Sequence, residues 1–128
     1  MGPGQRLSII RNDLLSLIDE YNPDVIAVEA LFFCKNARTG MSVAQARGVI
    51  LEAAASRSVP VSEYTPMQVK LHLTGFGRSD KREVQKMIAC LLELPAVIRP
   101  DDASDALALA VCHARMSGME WANPSRLA

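Results

Sequence analysis

The sequence predicts an α/β domain built on a strand–helix–strand unit, and three stretches carry that reading. Val25-Ile26-Ala27-Val28 is an unbroken apolar run, mostly β-branched, as expected of a strand buried on both faces beneath helices. Residues 41–56 are rich in alanine, a strong helix former, and Gly48 leaves room for another backbone. Val59-Pro60-Val61-Ser62-Glu63-Tyr64 reads as a second short strand. Strand, helix, strand in that order predicts two parallel strands with a right-handed crossover.

The remaining elements follow in order. Leu7, Ile10, Leu14, Leu17, Ile18 and Tyr21 recur at helical spacing, so the first segment is an amphipathic helix packed on one side. Asn22-Pro23 ends it, because a residue before proline is pushed out of the α region. The first strand spans residues 24–30. Thr65-Pro66-Met67-Gln68 is a capping box with proline at the first helical position, opening a helix over residues 66–73. Thr74-Gly75-Phe76-Gly77-Arg78-Ser79 reads as a flexible turn. A helix over residues 81–92 faces inward with Val84, Met87, Ile88 and Leu91, and Leu94-Pro95 stops it. Asp101 or Asp102 caps a last helix running to about Met119. The expected organisation is one domain over residues 1–119 with a tail over 120–128.

Composition bounds the function. The chain has 128 residues, enough for a real core, and no apolar run long enough to cross a membrane. No apolar signal core follows the start, which predicts a cytoplasmic protein. Cys34, Cys90 and Cys112 show no metal spacing and read as reduced, mostly buried thiols. The formal net charge is +0, so nucleic-acid binding has to rest on local placement of cations.

The acids come first among the candidate functional residues. Glu29 appears where its strand runs out, and ligands of open α/β sheets bind beyond the carboxyl ends of strands. Asp102 and Asp105 share one helix face at i, i+3 in a first turn that favours negative charge. Two acids there can simply be a capped helix, but Asp101 crowds the same turn, and Ala103, Ser104 and Ala106 leave space around the pair. Converging, Glu29, Asp102 and Asp105 would suit Mg²⁺, a hard cation that wants oxygen ligands. Two such ions can activate water for phosphodiester cleavage. Such a site usually needs a fourth acid. His113 is a poor ligand candidate, about 12 Å along the helix from Asp105. The cations fall in two groups: Lys70, Arg78, Lys81, Arg82 and Lys86 around the glycine-bearing turn, and Lys35, Arg38 and Arg47 nearer the first strand. Either is compatible with an ordinary solvated surface or with a phosphate backbone. Phe32 and Phe33 are adjacent aromatics in the loop that carries Lys35 and Arg38, and one of them could plug the core or wedge against bases.

These residues carry a resemblance. Ala27-Val28-Glu29-Ala30 with Phe32 and Lys35-Asn36-Ala37 resembles the second acidic motif of the RuvC-type Holliday junction resolvases. Gln45-Ala46-Arg47-Gly48 is similar to a helix segment of that family, and Gln68-Val69-Lys70 with Lys81 to its basic region. Asp102-Ala103-Ser104-Asp105-Ala106, then Ala108 and His113, is similar to its last acidic motif. The resemblance runs from about Gln5 to Met116. It implies an RNase H-like fold and a homodimer that resolves four-way DNA junctions in recombination and repair by Mg²⁺-dependent hydrolysis, Mn²⁺ being a possible substitute. It implies the branch-migration proteins RuvA and RuvB as partners. Glu29, Asp102 and Asp105 would be catalytic metal ligands, Lys70 and Lys81 would hold the scissile phosphate region, and Phe32 would stack on or wedge a base. Lys35, Arg38 and Arg78 would add DNA contacts, and the Ala-rich helix would lie near the dimer interface.

The family pattern opens on a strand bearing Asp-Pro-Gly, whose Asp is a metal ligand, followed by two antiparallel strands. No Asp-Pro-Gly occurs in this sequence. The expectation is therefore an N-terminally incomplete member, lacking the first three strands, in which cleavage is in doubt. The alternative is a module that binds branched DNA, or dimerises, without cutting.

Overall fold

The computed structural model describes residues 1–30 and 37–118, with backbone alone at 37 and 38. Its elements are α1 (Pro3–Tyr21), β1 (Ile26–Glu29), α2 (Ala37–Ser56), β2 (Val61–Tyr64), α3 (Pro66–Thr74), α4 (Lys81–Leu91) and α5 (Asp101–Met116). The strand–helix–strand order is as the sequence predicts. Among the described residues β1 and β2 form a two-stranded sheet. The Ile26 amide donates to the Pro60 carbonyl at 3.0 Å and the Ala30 amide to the Tyr64 carbonyl at 2.8 Å. Both partners advance together along the chain, which is the register of parallel strands. With one neighbour rather than two covered faces, β1 is half-buried from Ile26 to Val28 and exposed at Glu29, not buried throughout as expected.

The chain forms two compact units. One holds Met1–Ile26 and the residues from α2 through Ser62; the other holds Ala27–Ala30 and the described residues from Glu63 onward. In the first, α1 packs on α2. Its buried apolar residues are Ile18 of α1 and Ala53 and Ala54 of α2. Leu7 and Leu14 are half-buried, but Leu17 is 50% and Tyr21 70% exposed, so packing covers only part of the expected stripe. The reason is side-chain size: the alanines of α2 offer a narrow contact, too short to reach a full apolar face. Gly48 makes no close approach; a Cβ there would meet nothing within 4 Å among the described residues. Two surface ion pairs, Arg11 with Glu52 at 3.2 Å and Arg57 with Asp19 at 2.8 Å, link residues of this unit.

The second unit has a closed core. Tyr64, Val69, Leu73, Ile88, Ala108, Val111 and Cys112 form one buried cluster, with Val84, Met87 and Leu91 against it as the sequence predicts. Cys112 is buried, and that burial raises its thiol pKa; Cys90 is exposed, contrary to expectation, and Cys34 lies outside the described residues. α3 opens on the expected capping box, Thr65 Oγ1 accepting from the Gln68 amide at 3.1 Å and Gln68 Oε1 from the Thr65 amide at 2.8 Å. At its far end Arg115 of α5 donates to the His72 carbonyl at 2.7 Å. α4 has a cap the sequence reading lacks: Asp80 Oδ1 accepts from the Glu83 amide at 2.8 Å. α5, by contrast, is capped by neither Asp101 nor Asp102. It starts at Asp101 after Pro100, and no side chain caps it. The Asp101 carboxylate is engaged elsewhere, by Gln85 Nε2 at 3.1 Å and by Lys81 at 3.6 Å, both from α4.

The turn between α3 and α4 is pinned, not flexible. Gly75 takes the left-handed conformation (φ 83°) that closes a helix end, a geometry costly for any residue with a side chain. Thr74 Oγ1 donates to the Lys70 carbonyl at 2.8 Å and accepts from the Phe76 amide at 3.2 Å. Ser79, itself buried, donates from its hydroxyl to the Phe76 carbonyl at 2.7 Å and is hydrogen-bonded to Thr74 Oγ1.

Candidate functional site

The second unit brings together residues from four elements around a cavity of ≈ 210 Å³. β1 contributes Glu29, the α3 segment Pro66, Val69 and Lys70, α4 Lys81 and Val84, and α5 Asp105, Ala108 and Leu109. Each is delivered by local chemistry. Glu29 is the last residue of β1, so its carboxylate emerges where the strand's apolar run ends. The Thr65 cap and Pro66 fix the start of α3, and Val69 anchors the helix in the core beside Lys70. Asp80 fixes the start of α4, which places Lys81 in its first turn. Ala108, one helical turn after Asp105, is buried and sets the face on which Asp105 stands.

The dominant electrostatic feature is the Lys81 ammonium. It lies 3.2 Å from an Asp105 oxygen and 3.6 Å from an Asp101 oxygen. The Asp105 hydrogen bond holds Lys81 above the ordinary lysine pKa, with the charges of Asp105 and Asp101 adding to it. The ammonium is thus a cation already gathered between two carboxylates of α5.

Of the sequence-predicted residues, Glu29, Asp105, Lys70 and Lys81 meet at this cavity. Asp102 is exposed and does not line it. Arg78 is exposed on the α3–α4 turn. Phe32 and Lys35 lie outside the described residues, as does the Arg38 side chain. Asp101, which the sequence reading takes as a possible cap or as crowding the turn, instead shares Lys81 with Asp105; the two acids are spaced i, i+4, so one cation on a facing helix reaches both. His113 is spoken for, its Nδ1 hydrogen-bonded to the Tyr64 hydroxyl and its ring edge-on to Tyr64 at 5.8 Å, a structural role at the core margin.

As a test of metal fit, the donors are right in kind: carboxylate oxygens at one cavity suit a hard divalent cation. Their assembly is partial. Among the described residues no group of three or more His, Cys, Asp or Glu side chains is gathered in an arrangement that could hold an ion.

The chain is similar to known proteins over most of its length. The family model described as crossover junction endodeoxyribonuclease RuvC matches residues 3–113. The RuvC of Desulforamulus reducens is 51% identical over 112 residues, covering 88% of this chain and 69% of that protein. The RuvC of Moorella thermoacetica is 53% identical over 112 residues, covering 88% of this chain and 67% of that protein. The solved structure of Thermus thermophilus RuvC superposes with a TM-score of 0.84 at 37% identity, over 91% of this chain and 72% of that one. T. thermophilus RuvC in complex with Holliday junction substrate also gives 0.84, at 33% identity over 92% of this chain and 72% of that one. The α/β architecture is that of these RuvC structures, the RNase H-like fold that the sequence motifs imply. With a family model spanning nearly the whole of the described chain and relatives at about half identity, the chain belongs to the crossover junction endodeoxyribonuclease RuvC family.

Proposed function

We propose that this chain acts on four-way DNA junctions, hydrolysing a phosphodiester at the cavity lined by Glu29, Lys70, Lys81 and Asp105. The observation that carries the proposal is the meeting of two carboxylates and two ammonium groups at one cavity, from residues far apart in the chain. Acids alone would hold cations, and lysines alone would hold phosphate. Together they suit a scissile phosphate held beside a divalent ion. Mg²⁺, with Mn²⁺ as a substitute, would be held by Glu29 and Asp105 with Asp102 from the same helix, and would supply charge stabilisation and an activated water. Lys70 and Lys81 orient the phosphate, and Arg78, with Lys35 and Arg38, extends the contact along the backbone. Phe32 would wedge the junction. The reading extends to a homodimer, to RuvA and RuvB as partners and to the cytoplasm. Among the described residues no helix is long and apolar enough to cross a membrane.

A second reading has its own support. The lack of a gathered three-carboxylate group among the described residues favours a module that binds branched DNA without cutting it. A nicking assay on a synthetic four-way junction separates the two. Mg²⁺-dependent product that disappears in Glu29→Gln supports cleavage; a gel shift without product supports binding alone. If neither product nor shift appears, both readings fail.

A further inference from the structure

Resting on the junction-binding reading, we propose that Phe76 is a further nucleic-acid contact: an aromatic platform on which an unpaired or splayed base stacks beside the cleavage site. Phe76 is 71% exposed, the most exposed of the described aromatics, and Met67 and Leu71 of α3 are exposed as well. The backbone that carries the ring is fixed: the Thr74 and Ser79 hydroxyls clamp Phe76 on both its amide and its carbonyl. The clamp is anchored in the protein interior: Ser79 is buried, and Leu73 directly before Thr74 belongs to the core. An aromatic on a fixed backbone has only its two side-chain torsions to lose when a base covers it.

The surroundings select the occupant. Met67 and Leu71, spaced i, i+4, form an exposed apolar strip on α3, and a side chain on Gly77 would come within 3.0 Å of Met67 Cγ. Gly77 thereby lets Met67 lie against the turn, next to Phe76. Lys70, Arg78 and Arg82 lie within six residues of Phe76 along the chain, and no ion pair holds them among the described residues. Lys81, five residues beyond Phe76, lines the cavity with Glu29 and Asp105. An exposed aromatic in a stretch of chain carrying cations that no ion pair holds fits a base with its phosphates. It fits the side chain of a protein partner less well, since that would leave those cations unmatched.

The test uses fluorescence and salt dependence. In a Trp121→Phe background, which removes the single native tryptophan, Phe76→Trp provides a probe at the turn. Stacking predicts quenching of its emission on titration with a synthetic four-way junction. Phe76→Ala should weaken junction affinity by about tenfold, the size of one base–aromatic stack, with an unchanged salt slope and an unchanged melting temperature. Phe76→Tyr should stay within about twofold of the native chain. Arg78→Ala should instead flatten the salt slope by about one, as expected for a lost phosphate contact. Native junction binding with no quenching, and with Phe76→Ala binding equally well, overturns the stacking proposal and leaves the junction-binding reading intact. Intact junction binding with a changed oligomeric state in Phe76→Ala makes the patch a protein interface and also overturns it. No DNA binding by the native chain overturns both.

Discussion

The two units of this chain are both made from amphipathic helices, yet they bury their apolar residues very differently. The unit carrying α3, α4 and α5 closes a core in which Leu73, Ile88, Val111 and Cys112 are almost entirely out of water. Among the described residues the α1–α2 pair buries only Ile18, Ala53 and Ala54, and leaves Ile9, Leu17 and Tyr21 substantially exposed. The difference is geometric. Three helices and a strand end can surround a side chain, whereas two helices, one of them alanine-rich, can only line it on one side. Every described group proposed to touch the scissile phosphate or its metal ion belongs to the unit carrying α3, α4 and α5. Rigid support from a packed core is what holds such groups in a fixed constellation.

The sharpest way to break that comparison is through activity. Asp105→Asn keeps shape and removes one carboxylate charge, and under the cleavage reading it lowers the rate on four-way junctions by about a thousandfold, roughly 4 kcal/mol of barrier. Glu52→Gln, a surface acid of the other unit paired with Arg11, leaves the rate unchanged. Equal losses in the two variants would erase the functional distinction between the units. Next in size is stability. Ile88→Ala opens a cavity at a residue 1% exposed and should cost about 3 kcal/mol in urea unfolding, against less than about 1 kcal/mol for Leu17→Ala at 50% exposure. Similar costs at the two sites would mean that the α1 stripe is covered in solution.

How far the sequence foretold this arrangement follows the same division between local and distant information. The strand–helix–strand order, the Thr65–Gln68 box and the inward face of α4 were legible because each depends on residues within one or two turns. Glu29, Asp102 and Asp105 were singled out together because each breaks a local pattern, a carboxylate at the end of an apolar strand and two among small residues in a helix start; that only Glu29 and Asp105 line the cavity was not legible, since spacing does not say which of two neighbouring acids faces it. Lys81 reaching Asp101 and Asp105 was not legible, since nothing local says that α4 lies along the start of α5. The exposure of Leu17 and Tyr21 was hidden for a related reason. Periodicity reports which residues share a face, but not how much of that face a partner covers. The clamp around Phe76 escaped notice because glycines on both sides read as flexibility, while the hydroxyls that remove it belong to Thr74 and Ser79 at the turn's ends.

A smaller effect sharpens the comparison at the helix starts, where the two units use the same spacing. α1 begins Gly2-Pro3-Gly4-Gln5 and α3 begins Thr65-Pro66-Met67-Gln68. Gln5 and Gln68 both reach back to the capping amide, at 2.9 and 2.8 Å. Only Thr65 has a side chain to return the bond, to the Gln68 amide. Thr65→Ala should therefore cost about 1 kcal/mol of stability, while Gly2→Ala should change it by only a few tenths. Urea unfolding of the two variants measures the contrast directly.

The smallest effect concerns the cation already at the site. Lys81 stands between Asp101 and Asp105, and a divalent ion seeking Asp105 meets its repulsion and must displace it. Lys81→Met removes the ammonium and keeps much of the side-chain volume, so the protein should bind Mn²⁺ about fivefold more tightly, read by the paramagnetic signal of the free ion. The same variant should bind junction DNA more weakly, because the phosphate loses a partner, and the two changes of opposite sign are the signature of a shared site. The pH dependence has a definite sign. The Asp105 hydrogen bond raises the Lys81 pKa above its ordinary 10.5, so the pair is intact at lower pH and is lost only as pH rises through that raised value. The ratio of Mn²⁺ affinities between variant and native chain should accordingly stay constant from about pH 6 to pH 9 and fall toward one only in strong base, where the native lysine sheds its charge. A ratio of one throughout would mean that the metal ion enters without meeting Lys81, and that the carboxylates it uses are not those of the α4–α5 contact.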